Sequence, residues 1–162
     1  MTKTLVVYYS LTGFTRRVAE ELARATGAHL AEIRDRKPRH GGWGQFRAAF
    51  EAFFGLHPEI DYLGPDPANY DRVLVGGPVW VAHLASPVRT FLRHYADSCR
   101  HLDLFVTYGG HGAEAALAKV RDLLPATPDH LLIFNDGEIS SGGYTNRVRA
   151  FAQSLLPEPV LH

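Results

Sequence analysis

Tyr9-Ser10-Leu11-Thr12-Gly13-Phe14-Thr15-Arg16-Arg17-Val18-Ala19 follows directly on the apolar run Leu5-Val6-Val7-Tyr8-Tyr9. The run is continuous rather than alternating, the pattern of a strand buried on both faces. It is too short for a membrane span or a signal-peptide core. From Thr15 to Ala25, the residues Val18, Ala19, Leu22 and Ala25 then recur at helical spacing. Between strand and helix lies a hydroxyl-rich turn with one glycine. Such a turn offers unpaired backbone N–H groups and hydroxyl donors to an anion, and its small side chains let a phosphate reach the backbone. No Gly-Lys-Ser/Thr ending follows, and the Gly-x-Gly-x-x-Gly spacing is absent, so neither a triphosphate loop nor a dinucleotide fingerprint is present. A monophosphate ligand fits best. The plainer alternative is that Ser10 or Thr12 only caps the helix.

Outward from this unit, short apolar runs alternate with longer amphipathic stretches. Further strands are expected at His29 to Ile33, Arg72 to Val75, Leu102 to Thr107 and Leu131 to Phe134. Helices are expected at Pro87 to Tyr95, where Val88, Phe91, Leu92 and Tyr95 share a face, and at Ala113 to Leu124 and Tyr144 to Leu156. Pro87 suits a first helical turn. This rhythm predicts βαβ units around a parallel sheet with helices on both faces, an α/β fold in a single domain over residues 1–162.

The stretch from Pro38 to Pro67 is too long for an ordinary connection. In it, Trp43, Phe46, Phe50, Phe53 and Phe54 fall on one helical face, which defines an aromatic-rich helical segment at about residues 42–55. That face either covers the sheet as a crossover helix or stays partly exposed, as a homodimer contact or the wall of a substrate pocket. The preceding run Arg34-Asp35-Arg36-Lys37-Pro38-Arg39-His40 reads as a solvated basic loop, or as an attractor for nicotinamide-cofactor phosphates or an acidic protein partner.

The 162 residues carry 17 basic and 17 acidic side chains, so no global field draws in nucleic acid. The balance is uneven, with 9 basic against 6 acidic residues in the first sixty and 8 against 11 in the remainder. The one cysteine, Cys99, excludes an internal disulfide and a thiolate metal cluster and fits a reducing compartment. No apolar run approaches the roughly 18 residues of a spanning helix. A cytoplasmic protein without membrane contact and without a metal site is therefore expected.

Two more loops follow expected strands. Gly76-Gly77-Pro78-Val79-Trp80-Val81-Ala82-His83-Leu84-Ala85-Ser86-Pro87 comes after the third, and Thr107-Tyr108-Gly109-Gly110-His111-Gly112 after the fourth. Both are turn-prone and aromatic. In a doubly wound sheet, loops at the carboxyl ends of strands gather beside the topological switch point, where ligands bind. A monophosphate pocket flanked by aromatic loops implies a flat ring on a phosphorylated tail.

On Tyr9-Ser-x-Thr-Gly-x-Thr15 and Gly77-Pro-x-Trp80, and in element order along nearly the whole chain, the sequence resembles the flavodoxin family. The resemblance implies a three-layer flavodoxin-like fold, with a five-stranded parallel sheet in the order 2-1-3-4-5, and FMN as the cofactor. By the same resemblance, Ser10, Leu11, Thr12, Gly13, Phe14 and Thr15 would hold the FMN phosphate. Pro78, Val79, Trp80, Val81 and Ala82 would line one edge and face of the ring, with Trp80 stacking. Thr107, Tyr108, Gly109, Gly110 and Gly112 would border the other side. Phe14 stands where the family often has Asn, so only its backbone N–H carries over. The acidic residue and stacking tyrosine usual in the third loop are replaced by Gly110-His111-Gly112-Ala113. Val81-Ala82 stand where electron carriers often place a glycine beside the tryptophan loop, and the neutral charge departs from the strongly acidic carriers. These departures resemble the FMN-dependent oxidoreductase branch.

Three functions follow as expectations. The leading one is an FMN-dependent enzyme passing reducing equivalents from NAD(P)H to a small acceptor such as a quinone. Its chemistry would sit at flavin N5 without an obligatory side-chain acid or base, and His83 and His111 are the candidate proton donors. The second is a single-electron carrier between protein partners. The third is a flavin-free binding or regulatory module.

Overall fold

The computed structural model describes residues 2–36, 41–44, 46–47, 57–80, 82–111, 113–122, 124 and 127–156. Strand β1 (Thr4–Tyr8) is buried along its whole length, which is why it carries no polar alternation. Helix α1 (Phe14–Thr26) buries Thr15, Val18, Ala19, Glu21 and Leu22. It ends at Gly27, whose φ of 68° is readily adopted by glycine and turns the chain out of the helix. Then come β2 (His29–Asp35), β3 (Ile60–Tyr62), β4 (Arg72–Trp80), β5 (His83–Leu84), α2 (Ser86–Tyr95), β6 (His101–Tyr108), α3 (Ala113–Arg121), β7 (His130–Asn135), α4 (Asp136–Ser141) and α5 (Tyr144–Ser154).

The sheet runs β3-β2-β1-β4-β6-β7, with β5 folded back on β4. The five strands β2, β1, β4, β6 and β7 are parallel, and they stand in the expected order 2-1-3-4-5. Among the described residues the sheet has seven strands rather than five. The two additions are short and antiparallel: β3 pairs with β2 through Ile33↔Tyr62 and Asp35↔Ile60, and β5 pairs with β4 through Val79↔Leu84 and Trp80↔His83. Pro78 to Trp80, expected as loop, therefore continue β4.

Alternation along β1 divides the core. Leu5, Val7 and Tyr9 join Val73, Val75, Val88, Phe91, Leu104 and Val106 on the face covered by α2 and α3. Val6 and Tyr8 join Leu22, Leu74, Phe105, Phe134, Val148 and Phe151 on the face covered by α1 and α5. Each fully buried large apolar side chain contributes about 2 kcal/mol. Gly76 and Gly77 let these layers close, since a Cβ at Gly76 would lie 2.2 Å from the Phe105 ring and one at Gly77 would lie 2.4 Å from Val88 Cγ2.

At the amino ends of the strands, the fully buried Asp103 accepts from Arg72 Nη1 at 2.8 and 2.6 Å and meets His130 Nδ1 at 2.9 Å. Arg72 and His101 both reach Asp129, at 3.5 and 2.7 Å.

In the aromatic segment, residues 42–44 and 46–47 are helical. Trp43 and Phe46 meet edge to face, with ring centroids 6.4 Å apart, and they are 86% and 68% exposed. These two rings therefore do not cover the sheet; Phe50, Phe53 and Phe54 lie outside the described residues. In the basic run, Arg34 pairs with Glu32 while Arg36 pairs with Glu59 and Asp61, so both are neutralised locally. Lys37, Pro38, Arg39 and His40 lie outside the described residues. Among the described residues, no helix is long and apolar enough to cross a membrane, and no cluster of His, Cys, Asp or Glu could hold a metal ion.

Candidate functional site

Because β1, β4, β6 and β7 are parallel, their following loops emerge together at the carboxyl edge of the sheet. The first loop closes on itself where Ser10 Oγ accepts from the Gly13 N–H at 3.1 Å. Gly13, at φ 97°, occupies the N-cap position of α1 in the left-handed region, so the glycine answers a conformational need. Among the described residues no side chain caps α1, and no acidic residue stands in its first turn to offset the positive end of the helix dipole. Thr12 is exposed, and its hydroxyl makes no hydrogen bond among the described residues. Tyr9 to Gly13 line a cavity of about 560 Å³, with Arg16, Glu32, Ile33, Arg34 and Asp35 on its far wall. Arg16 is held there by Glu32 at 2.8 Å.

Two contacts fasten this loop to its neighbours. Tyr9 donates its N–H to Gly76 O at 3.0 Å, and its ring meets Trp80 edge-on, with centroids 6.0 Å apart. On the other side, the Thr15 and Thr107 hydroxyls share a hydrogen bond of 2.8 Å, and both residues are buried. Thr15 thus turns its side chain toward β6, whereas Ser10, Leu11, Thr12 and Gly13 face the cavity. Phe14 packs against the α1-side core.

Pro78, Val79 and Trp80 are half-buried at the end of β4. Ala82 holds φ 57°, the one non-glycine with positive φ among the described residues, in the hairpin turn that returns to β5. Tyr108 ends β6 opposite Asn135 of β7, and Gly109, Gly110 and His111 are exposed beyond it. Val81 and Gly112 lie outside the described residues.

The two histidines differ. His111 stands exposed on the third loop. His83 accepts at Nε2 from the Lys119 ammonium at 3.0 Å. Partial burial, Lys119 and Arg89 all lower its pKa from the usual 6.5, so it is neutral at pH 7 and that nitrogen holds no proton to give.

A fourth loop joins the edge. Asn135 Oδ1 caps α4 by accepting from the Gly137 N–H at 2.8 Å, and this sets Asp136 beside Gly109. A Cβ at Gly109 would lie 2.5 Å from Asp136 Oδ2. Burial raises the Asp136 pKa above the ordinary carboxylate value. The one sequence signal for it is the turn-forming Asn135-Asp136-Gly137 directly after a strand. Lys119 had no comparable signal, because its role arises from contact with a residue 36 positions away.

Comparison with known proteins agrees with the fold. A flavoprotein from Lactobacillus acidophilus NCFM, solved in complex with FMN, superposes with a TM-score of 0.72 at 24% identity, covering 87% of this chain and 98% of its own. A candidate flavoprotein from Bacteroides eggerthii DSM 20697 gives 0.78 at 22% identity, covering 96% and 98%. An NADH:FMN oxidoreductase in its apo form gives 0.54 at 16% identity, covering 98% and 92%. At these identities the likeness concerns the fold alone. Comparison with curated protein sequences gives no match. The flavodoxin family model, however, matches residues 3–150, nearly the whole chain, and with the parallel five-strand order and the hydroxyl loop at its switch point this protein belongs to the flavodoxin family.

Proposed function

We propose that the protein is an FMN-dependent oxidoreductase that takes reducing equivalents from NAD(P)H and passes them to a small acceptor such as a quinone. The observation that carries the cofactor assignment is the start of α1. It is a helix of 13 residues with no side-chain cap, no acidic residue in its first turn and a free Thr12 hydroxyl at the rim of a cavity of about 560 Å³. This is a seat for a phosphate rather than a finished cap. The backbone N–H groups of the first turn, with Ser10 and Thr12, would hold the phosphate of FMN. Trp80, braced by Tyr9, would present its face to the ring, and Gly109 and Gly110 would admit the opposite edge. FMN, when bound, supplies both one- and two-electron redox chemistry, and the protein's part is to orient and shield.

The enzyme reading is favoured over the electron-carrier reading by the hairpin after Trp80. Ala82 rather than glycine occupies its left-handed position, so the turn lacks the freedom of a peptide that changes orientation with redox state. The net charge of zero points the same way, since carriers commonly use charge complementarity to steer docking. The test begins with the absorption spectrum of the purified protein after addition of FMN, followed by anaerobic reduction with NADH and NADPH separately. Bound yellow chromophore and rapid bleaching by either nucleotide are expected. Bound flavin that neither nucleotide bleaches would leave the carrier reading in its place.

A further inference from the structure

Beside the Trp80 hairpin, the structure places two basic groups against each other, with no acid paired to either among the described residues. His83 stands opposite Trp80 in the β4–β5 register, and Lys119 on α3 donates to its Nε2 at 3.0 Å. Lys119 makes no ion pair among the described residues, although Glu114 lies on the same helix and Asp122 follows directly after it. The buried Arg89 on α2 adds a second positive charge, and like Lys119 it acts to lower the His83 pKa. An exposed ammonium bonded to a neutral imidazole is an unfinished arrangement. An oxyanion bound beside the pair satisfies the ammonium and raises the imidazole's proton affinity.

We propose that Lys119 and His83 form a seat for the anionic group of a molecule that exchanges electrons at the ring site, so that the preferred substrate bears a carboxylate, sulfonate or phosphate. The proposal rests on the reading of this edge as an FMN redox site. The oxyanion belongs either to the nucleotide donor or to an acidic acceptor, and the two are separable by substrate choice. Ordinary salt competes for such a seat, because both groups are solvent-accessible and their field is screened.

Two measurements test it. In the first, the holoprotein is assayed with NADH or NADPH against 1,4-naphthoquinone and its 2-sulfonate. Lys119→Gln is expected to raise about tenfold either the KM for the nucleotide donor or the KM for the sulfonate relative to the neutral quinone, and Lys119→Arg to restore it. A rise in the KM for NADH, NADPH or both assigns the seat to the donor, and a change in the sulfonate/neutral ratio assigns it to the acceptor. If the two nucleotide KM values and the sulfonate/neutral ratio all stay at their wild-type values, the seat does not exist. The second measurement needs no turnover: the His83 imidazole is titrated by NMR with and without naphthalene-2-sulfonate. An upward shift of its pKa on adding the sulfonate, lost in Lys119→Gln, supports the seat even if neither nucleotide reduces the flavin. An unmoved titration overturns it.

Discussion

The Thr15 and Thr107 hydroxyls, 92 residues apart in sequence, meet at 2.8 Å and tie the first turn of α1 to the carboxyl end of β6. The pair is buried, so each hydroxyl depends on the other. Thr15→Val and Thr107→Val are each expected to destabilise the protein by about 1 kcal/mol, because each leaves one buried hydroxyl unsatisfied. The double variant should lose less than the sum. Urea unfolding of the four proteins measures the coupling, and strict additivity contradicts it.

Thr12 separates ligand binding from stability. Its hydroxyl is exposed and engages nothing among the described residues, so Thr12→Val should leave the urea midpoint of the FMN-free protein in place. FMN affinity, followed by quenching of tryptophan fluorescence, should fall about tenfold through loss of one hydrogen bond to a charged group. Unchanged affinity would remove Thr12 from the phosphate site.

Ala82 tests the hairpin beside Trp80. At φ 57° an alanine is strained by about 1 kcal/mol relative to glycine. Ala82→Gly relieves the strain but loosens the unfolded chain, for a net gain of about 0.5 kcal/mol. Ala82→Val adds a β-branch in the same region and should cost more than about 1 kcal/mol. The opposite ranking in chemical denaturation would mean that the turn relaxes to another conformation.

Breaking the buried ion pair at the far end of the sheet should be far more damaging. Arg72 contacts both oxygens of the fully buried Asp103. Asp103→Ala is expected to cost about 3 kcal/mol, because Arg72 then loses its buried carboxylate partner. Arg72→Met with Asp103→Leu removes both charges and should recover much of that loss. Thermal unfolding of both variants decides the point.

Cys99 gives a signature at alkaline pH. Burial pushes its thiol up to about 11, against 9.0 for the free group. Between those values the unfolded chain releases a proton that the folded chain keeps, so this stability contribution is complete below pH 9 and is lost as pH rises toward 11. At pH 8 only about one thiol in a thousand is ionised, and labelling by a thiol reagent should be slow until the protein is unfolded. Rapid labelling of folded protein at pH 8 would contradict this environment.

The central parallel strands β1, β4 and β6 were legible because each is an apolar run buried on both faces, and the hydroxyl loop was legible because Ser10, Thr12 and Gly13 form a local pattern. What escaped notice is non-local or too short to show a period. Strand β3 has three residues between prolines, and β5 has two, defined only by their partners across the ladder. Helix α4, with the sequence Asp-Gly-Glu-Ile-Ser-Ser, buries Ile139 alone and so has no apolar stripe. Trp43 and Phe46 show the converse, since helical spacing of aromatics identifies a face but not what lies against it. At the site, the Trp80 end was visible as a motif, while the Lys119–His83 and Asp136–Gly109 contacts arise only when elements distant in sequence are brought side by side.

Asp103 also has a consequence for how the chain assembles. It lies on the α1 side of β6, between Arg72 of β4 and His130 of β7, so one carboxylate is matched across three adjacent strands. A slip of β6 by one residue would turn Asp103 into the leucine- and valine-lined face beyond the sheet and leave Arg72 opposite an apolar side chain. Apolar side chains tolerate many misalignments at little penalty, but this row of charges tolerates one. The sheet thus carries its own check on strand alignment at the end remote from the ligand loops, and loop substitutions at the carboxyl edge leave that check intact.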